Sequence, residues 1–515
     1  MGAPREQPAR GSETQHRTEN PEPREGEHAV VAEVVVVGSG PNGLAAAVTL
    51  ARAGLEVEVR EAAEDLGGGL RTKPLFRPDV LHDICAAVHP MATASGFFRE
   101  FDLAARGVEL LRPEISYAHP LDGGRAGLAY RSLDATCERL GPDGPRWRAL
   151  MEPLLRHSQG LVDFMLSGQR TLPADLAAPF LLAKGLLTHG TPLAARQFAG
   201  PEAAALLAGV AAHVVGRMPT PSAASVALML GHLAHAGGWP VPRGGSVRIA
   251  EALAEDLTAH GGSLRTGARL DDLRELRGAR AVLLDLGPKE FLRVAGPLLP
   301  AGYRRSLGRY RYGPGAAKVD FLVNGPVPWA EPLVGRAGTV HLGGTQREVF
   351  RQESLVARGR PGGAPFVLVV DPAAADPGRV AADGHRPVWA YAHVPNGDRR
   401  DPAELVTARI EQYAPGFAAT VVDRRSVSAA ALEAYNPNYV GGDIAAGAVT
   451  FRQALLRPTP AWDPYRTPLK GVYLCSASTP PGPGVHGMAG YLAARSALRR
   501  EFGVRTAPRL APGAC

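Results

Sequence analysis

VVVVGSGPNGLAAAVTLARAGLEVEVRE, residues 34–61, decides the fold. An apolar run, a glycine-rich turn, an alanine-rich helical pattern and a second β-rich run follow one another, and an acid closes the second run. This order predicts a βαβ unit in which Gly38 makes the tight turn and Gly40 admits a pyrophosphate to the backbone. Gly43 lets helix and strand pack closely. The helix N-terminus, opening at Pro41 and Asn42, points bare N–H groups and a positive partial charge at the phosphates. Glu61 is the expected acceptor for the ribose hydroxyls of an adenosine. A lone glycine fingerprint is weak, but here it follows four valines and opens a helix free of Pro and Gly from Leu44 to Ala53.

At 515 residues and 45% hydrophobic positions, the chain has the length for two or three ordinary domains. The formal charge of +7 comes from scattered arginines, many beside Asp or Glu, with no aromatic-interleaved basic patch. A solvated surface is expected, and no nucleic-acid partner. Cys85, Cys137, Cys475 and Cys515 form neither a CxxC pair nor a zinc spacing, so no metal site and no redox disulfide are expected. Their spread fits a reducing cytoplasm. Residues 1–28 read as a polar disordered tail, and no window has the length of a spanning helix. The expectation is a cytoplasmic protein, at most attached to a membrane surface.

Further along, GGGLRT places Gly68 and Arg71 in a second glycine turn, where a guanidinium suits a second grip on a pyrophosphate. LHDICAAVHP carries His82 and His89, with His89 a candidate to touch substrate and a hydrogen-bonded loop histidine as the ordinary alternative. From about Asp134 to Ala236 the apolar positions recur at helical spacing, as expected for an inserted cap that lines a pocket or simply forms core. A helix starting near Ser246, a strand at 279–288 and β-rich segments at 311–329, 339–344, 365–371 and 385–395 follow. Near the end, a buried strand closing at Cys475 and Ser476 leads through a glycine-proline loop into a helix starting near Val485. This second helix N-terminus could stabilise negative charge on a cofactor ring. No second glycine fingerprint is present, so one dinucleotide site is expected.

With both ends in hand, the chain resembles the phytoene desaturase-like and amine oxidase-like flavoproteins. It is most similar to the subgroup of pyridine nucleotide-disulfide oxidoreductase domain-containing, phytoene dehydrogenase-related proteins. The likeness spans roughly residues 30–503 and rests on VVVVGSGPNGLAAA, LHDICAAVHP, GGWPVPRGG, NPNYVGGDI and YLCSASTPPGPGVHGMAGYLAAR. It implies an α/β architecture: a Rossmann-like FAD domain assembled from discontinuous segments, with a mixed α+β substrate domain and a helical insert. The boundaries expected are FAD-binding parts at 29–115, 237–300 and 445–503, a helical insert at 116–236, a β-rich substrate part at 301–444 and a tail at 504–515.

The resemblance implies that Gly38, Gly40, Gly43, Glu61 and Arg71 hold the ADP half of FAD. It sets the loop from Pro481 to Met488 beside the pyrimidine edge of the isoalloxazine, with Ser478, Gly484, Val485 and Met488 as contacts, and runs the stretch around Asp83 to Val88 near the ring. Lys318 matches, over a short segment, a strand lysine that approaches flavin N5 through a water; pairing with a carboxylate is the alternative. Arg71 stands two positions after the glycine run, and Ser476 and Pro483 occupy places where relatives often carry Gly. The expected function is an FAD-dependent desaturase or dehydrogenase acting on a largely apolar small molecule, such as a polyene, isoprenoid or lipid-like compound. Lys318, His89, His486 and Tyr439 are its candidate polar side chains. An oxygen-dependent amine oxidase and a lipid-binding escort protein are the alternatives. No feature names the electron acceptor.

Overall fold

The computed structural model describes residues 1–2, 32–168 and 173–513. The tail assigned to residues 1–28 and Cys515 fall outside the described residues, Met1 and Gly2 apart.

Val34–Val37 is the central strand of a five-stranded sheet, and all four of its residues are buried. A run of valines buried on both faces is the signature of a parallel sheet covered on two sides. Ala281–Leu284 and then Val472–Leu474 lie to one side of it, and Val57–Arg60 and then Ser263–Arg265 to the other, all parallel. The sheet therefore collects strands from distant parts of the chain, as a discontinuous Rossmann-like domain requires. Pro41–Ala51, Val247–Ala259 and Met488–Glu501 pack as helices over one face through an alanine-rich core. Small side chains let these backbones approach: a Cβ on Gly490 would stand 1.8 Å from the carbonyl oxygen of Asn42.

The second sheet has seven strands, ordered Val421–Val427, Gly315–Val323, Arg386–Val394, Val367–Val370, Ala337–Leu342, Ile115–Leu121 and Arg125–Tyr130. All its pairings are antiparallel except that of Ala337–Leu342 with Ile115–Leu121. Residues 116–130, placed in the helical insert on sequence, thus belong to this sheet. The physical reason is a hairpin turn at Gly123 and Gly124, whose φ values of 78° and 71° suit a tight reversal between two short strands. The helical segment proper runs from Leu133–Arg139 to Pro221–Ala236.

Side chains alternate across the seven-stranded sheet, so one face carries His341, Leu368, Tyr391 and Lys318 in one row. Val370, Trp389 and Asp320 form the neighbouring row on the same face. Helices Pro201–Ala211 and Pro221–Ala236 cover part of this face, and the core between them includes Trp239, Leu368 and Val370. Among the described residues, no helix is long and apolar enough to cross a membrane.

Candidate active site

A cavity of about 580 Å³ runs from the N-terminus of the first helix to the covered face of the seven-stranded sheet. At one end it is bordered by Gly38, Gly40, Asn42, Glu61, Gly68 and Arg71. At the other end stand Leu230, Trp239, Leu368, Val370, Trp389 and Tyr391.

The glycine turn forms for steric reasons. Gly38 has φ of 99°, which favours glycine, and a Cβ on Gly43 would lie 2.0 Å from the Gly38 carbonyl oxygen. Gly40 is the N-cap of Pro41–Ala51 and has no side chain to cap with, while Pro41 fills the first position, where a missing N–H costs nothing. The Asn42 side-chain oxygen is buried in this wall with no hydrogen-bond partner among the described residues. Asp285, directly after the strand Ala281–Leu284, reaches across and accepts the Gly43 N–H at 3.0 Å. A Cβ on Gly40 would meet its Oδ2 at 2.6 Å, so the bare Gly40 makes room for this carboxyl as well as for a ligand.

Glu61, one residue beyond Val57–Arg60, turns its carboxylate into the same end. One oxygen accepts Ser39 N–H at 2.9 Å and Ser39 Oγ–H at 2.6 Å; the other accepts Ala63 N–H at 2.9 Å and Arg71 Nη2–H at 3.2 Å. Arg71 also donates to the Asp65 carbonyl at 2.9 Å, and its guanidinium lies 5.5 Å from the Tyr435 ring centre. Glycine turn, acid and arginine are thus one hydrogen-bonded assembly. This donor set, a helix N-terminus with an acid and a guanidinium, fits the pyrophosphate and ribose of a dinucleotide.

Cys85 and Tyr439 join the two ends. The Cys85 thiol donates to Tyr439 Oη at 3.4 Å, and that oxygen lies 2.7 Å from where a Cβ on Gly69 would stand. Burial pushes both the Cys85 thiol and the Tyr439 phenol up, so both stay protonated at neutral pH. Gly484 and Val485 border the same cavity from the C-terminal loop. The helix after them begins at Met488, later than the sequence predicts, because Gly487 before it has φ of 67°, outside right-handed helical geometry. His486 holds this loop with both ring nitrogens: Nε2 meets the Gly482 carbonyl at 3.0 Å and Nδ1 accepts the Met488 N–H at 3.0 Å. Ser478 pairs with Ser476 at 2.6 Å, and the Met488 sulfur accepts the Phe97 N–H at 3.3 Å. These three side chains shape the loop and do not border the cavity.

His89 likewise faces inward. Its Nε2 bonds Ser246 Oγ at 2.8 Å, and burial holds its pKa down to about 4. Lys318 occupies the cavity face of its strand but is closed off by Leu81–Asp83. Its ammonium donates to Asp320 Oδ1 at 2.7 Å and to the Asp83 carbonyl at 3.1 Å. The carboxylate pairing weighed as the alternative for this lysine is therefore present. Asp83 is itself fixed by Thr72 Oγ, Ser246 N–H and Arg379, so the segment that continues to Cys85 is rigidly placed.

At the apolar end, Trp389 and Tyr391 stack with ring centres 5.7 Å apart and planes at 16°. His213 is the imidazole bordering this end; its Nε2 lies 2.9 Å from His341 Nε2, and burial lowers its pKa to about 3, so it is neutral. Sequence reasoning missed Asp285, His213, Trp389 and Tyr391 as wall residues, whereas Cys85 lies in the stretch from Asp83 to Val88 that the resemblance sets near the ring. Only Asp285 carries a readable signal, a lone acid at the carboxyl end of an apolar parallel strand.

Residues 36–101 match the NAD(P)-binding Rossmann-like domain. Pyridine nucleotide-disulfide oxidoreductase domain-containing protein 2 of Rattus norvegicus is 25% identical over 91% of this chain and 93% of its own. Hydroxyneurosporene desaturase of Cereibacter sphaeroides is 58% identical over 45 residues, 9% of each chain. A solved structure of a putrescine oxidase variant superposes with a TM-score of 0.56 over 92% of this chain and 99% of that one, at 18% identity. The resemblance drawn from the sequence is borne out, and so is the Rossmann-like α/β fold.

Proposed function

We propose that this chain is an FAD-dependent oxidoreductase of the desaturase or dehydrogenase type, acting on a largely apolar small molecule. One observation carries the reading: a single cavity joins the glycine, Glu61 and Arg71 assembly to a wall of leucine, valine, tryptophan and tyrosine. Bound flavin supplies hydride acceptance from a C–H bond. The chain's own residues do the rest. Gly38, Gly40, Asn42, Glu61 and Arg71 hold the ADP portion; Cys85, Tyr439, Gly484 and Val485 border the ring; Trp239, Trp389 and Tyr391 orient substrate and exclude water. The acids that border the cavity, Glu61, Asp285 and Glu290, all belong to the nucleotide end or its flanking helix, so the substrate end favours an uncharged molecule.

Lys318 acts in this reading from behind the wall, through the Asp83 carbonyl, as a positioning residue for Cys85 and its neighbours. Exposed Phe180, Leu187 and Trp462 are consistent with peripheral contact to a membrane that stores such substrates.

Amine oxidation is the second reading, favoured by the stacked Trp389 and Tyr391. The intact glycine and Glu61 assembly argues against an escort protein without cofactor. The test is purification followed by anaerobic titration with panels of polyenes, amines and lipids. Flavin absorbance that bleaches with a neutral apolar compound is expected; bleaching by amines alone selects the second reading, and a colourless protein ends both. For Lys318→Met, retained flavin with slower turnover is expected, and unchanged kinetics removes its role.

A further inference from the structure

Asp285 stands inside the glycine cradle, at the place where the flavin reading sets the pyrophosphate. Its Oδ2 accepts the Gly43 N–H at 3.0 Å and fills the space beside Gly40. The first helix has a glycine N-cap without a side chain, so Asp285 supplies from a neighbouring strand the acceptor that Ser or Asp usually supplies in place. Capping explains an oxygen at this position. An asparagine would serve equally, so capping leaves the charge unexplained.

The surrounding charges are already committed. Arg71 is paired with Glu61 and the Asp65 carbonyl. On the helix Pro288–Ala295, Glu290 faces Arg293 and Arg269 at 2.8 and 3.8 Å. Beyond Val472–Leu474, the buried Cys475 thiol is pushed up by burial and by Asp285, and stays neutral. The first helix brings no titratable side chain to the cradle, and Asn438, from the segment after the 429–435 helix, donates to the Asp285 backbone carbonyl at 2.9 Å. Among the described residues, no cation is bonded to the Asp285 carboxyl. Burial first, and then Glu61, push its pKa up to about 7, against the opposing Gly43 N–H.

We propose that Asp285 sets the charge of the cradle, and that a dinucleotide pyrophosphate binds with Asp285 carrying a proton. This rests on the flavin reading. A neutral carboxyl keeps one oxygen as helix cap and offers an O–H to a phosphate oxygen, whereas a carboxylate there opposes the phosphate charge. Above neutrality, binding must then draw a proton from solvent, and affinity falls by up to about tenfold per pH unit.

Dilution of the FAD holoprotein between pH 6 and 9, with released FAD read by its regained fluorescence, tests this. Wild type is expected to show a Kd that rises toward tenfold per unit above pH 7. Asp285→Asn keeps an amide oxygen for the cap and is expected to bind FAD at least tenfold more tightly at pH 8.5, with a flat profile. Asp285→Ser gives the same comparison where the asparagine variant does not fold. A flat wild-type profile, or an equal slope in the variants, overturns the role of Asp285 while leaving the flavin reading intact. A wild type that holds no FAD at any pH overturns the flavin reading and this inference with it.

Discussion

The end of the cavity proposed for the nucleotide draws much of its wall from one stretch between Gly38 and Arg71, with Asp285, Glu290 and Arg293 added from later in the chain. The apolar end instead takes Leu230 and Trp239 from the helical segment and the loop after it, and Leu368, Val370, Trp389 and Tyr391 from two sheet strands. The first end is polar, closely hydrogen-bonded and intolerant of added atoms. The second is apolar and held by stacking and burial. Binding of a conserved chemical shape such as a pyrophosphate calls for backbone N–H groups in fixed places, which only close packing provides. An apolar substrate needs only volume and shape, which many side chains can supply.

Gly43→Ala breaks the contrast most severely. Its Cβ would meet a backbone oxygen at 2.0 Å, with no flexible side chain to yield. A loss of about 5 kcal/mol and of all bound flavin is expected, read by denaturant unfolding and absorbance; normal flavin content would show that the turn is less constrained than the apolar end.

Asp285 comes next, through pH. Its folded pKa of about 7 lies above that of an unfolded aspartate, so the folded chain binds a proton that the unfolded chain releases. Its contribution to stability is full below about pH 4, declines as pH rises and is exhausted near pH 7. Relative to wild type, Asp285→Asn should therefore gain about 4 kcal/mol between pH 4 and 8 in flavin-free protein, at 1.36 kcal/mol per unit. Parallel stability curves for the two proteins would contradict the raised pKa.

Glu61→Ala removes the partner of a buried guanidinium and the acceptor for Ser39 and Ala63. Destabilisation of about 3 kcal/mol is expected together with flavin loss, because Arg71 is left uncompensated. Retention of flavin would place the ribose elsewhere.

The smallest effect belongs to the apolar end. His213→Phe removes one neutral imidazole and should leave flavin content unchanged, shifting substrate preference by no more than about tenfold, the worth of one hydrogen bond. Loss of flavin in this variant would mean that the two ends are not independent.

The same contrast explains what was legible in the residues themselves. Gly38, Gly40, Gly43, Glu61 and Arg71 lie close together in the chain, and a local motif with one steric solution can be read locally. The hairpin at Gly123 and Gly124 is readable in principle, but an insert bounded at 116 takes in its strands, although the helical spacing itself begins only near Asp134 and the first helix at Leu133. Lys318 and His89 are chemically able side chains whose partners, Asp320, Asp83 and Ser246, decide what they face. His486 reads as a site residue from its motif, yet the structure uses both of its nitrogens to hold a loop.

By itself, the sequence determined a Rossmann-like βαβ unit and singled out the acid and arginine that the structure pairs beside it, because backbone sterics and short-range spacing leave few alternatives. Only the tertiary structure decided that Asp285 caps the first helix from another strand, that Lys318 is paired behind the wall, and that Trp389 and Tyr391 line the apolar end of the cavity. Those placements depend on strand register and on contacts between residues far apart in the chain, which no local pattern encodes.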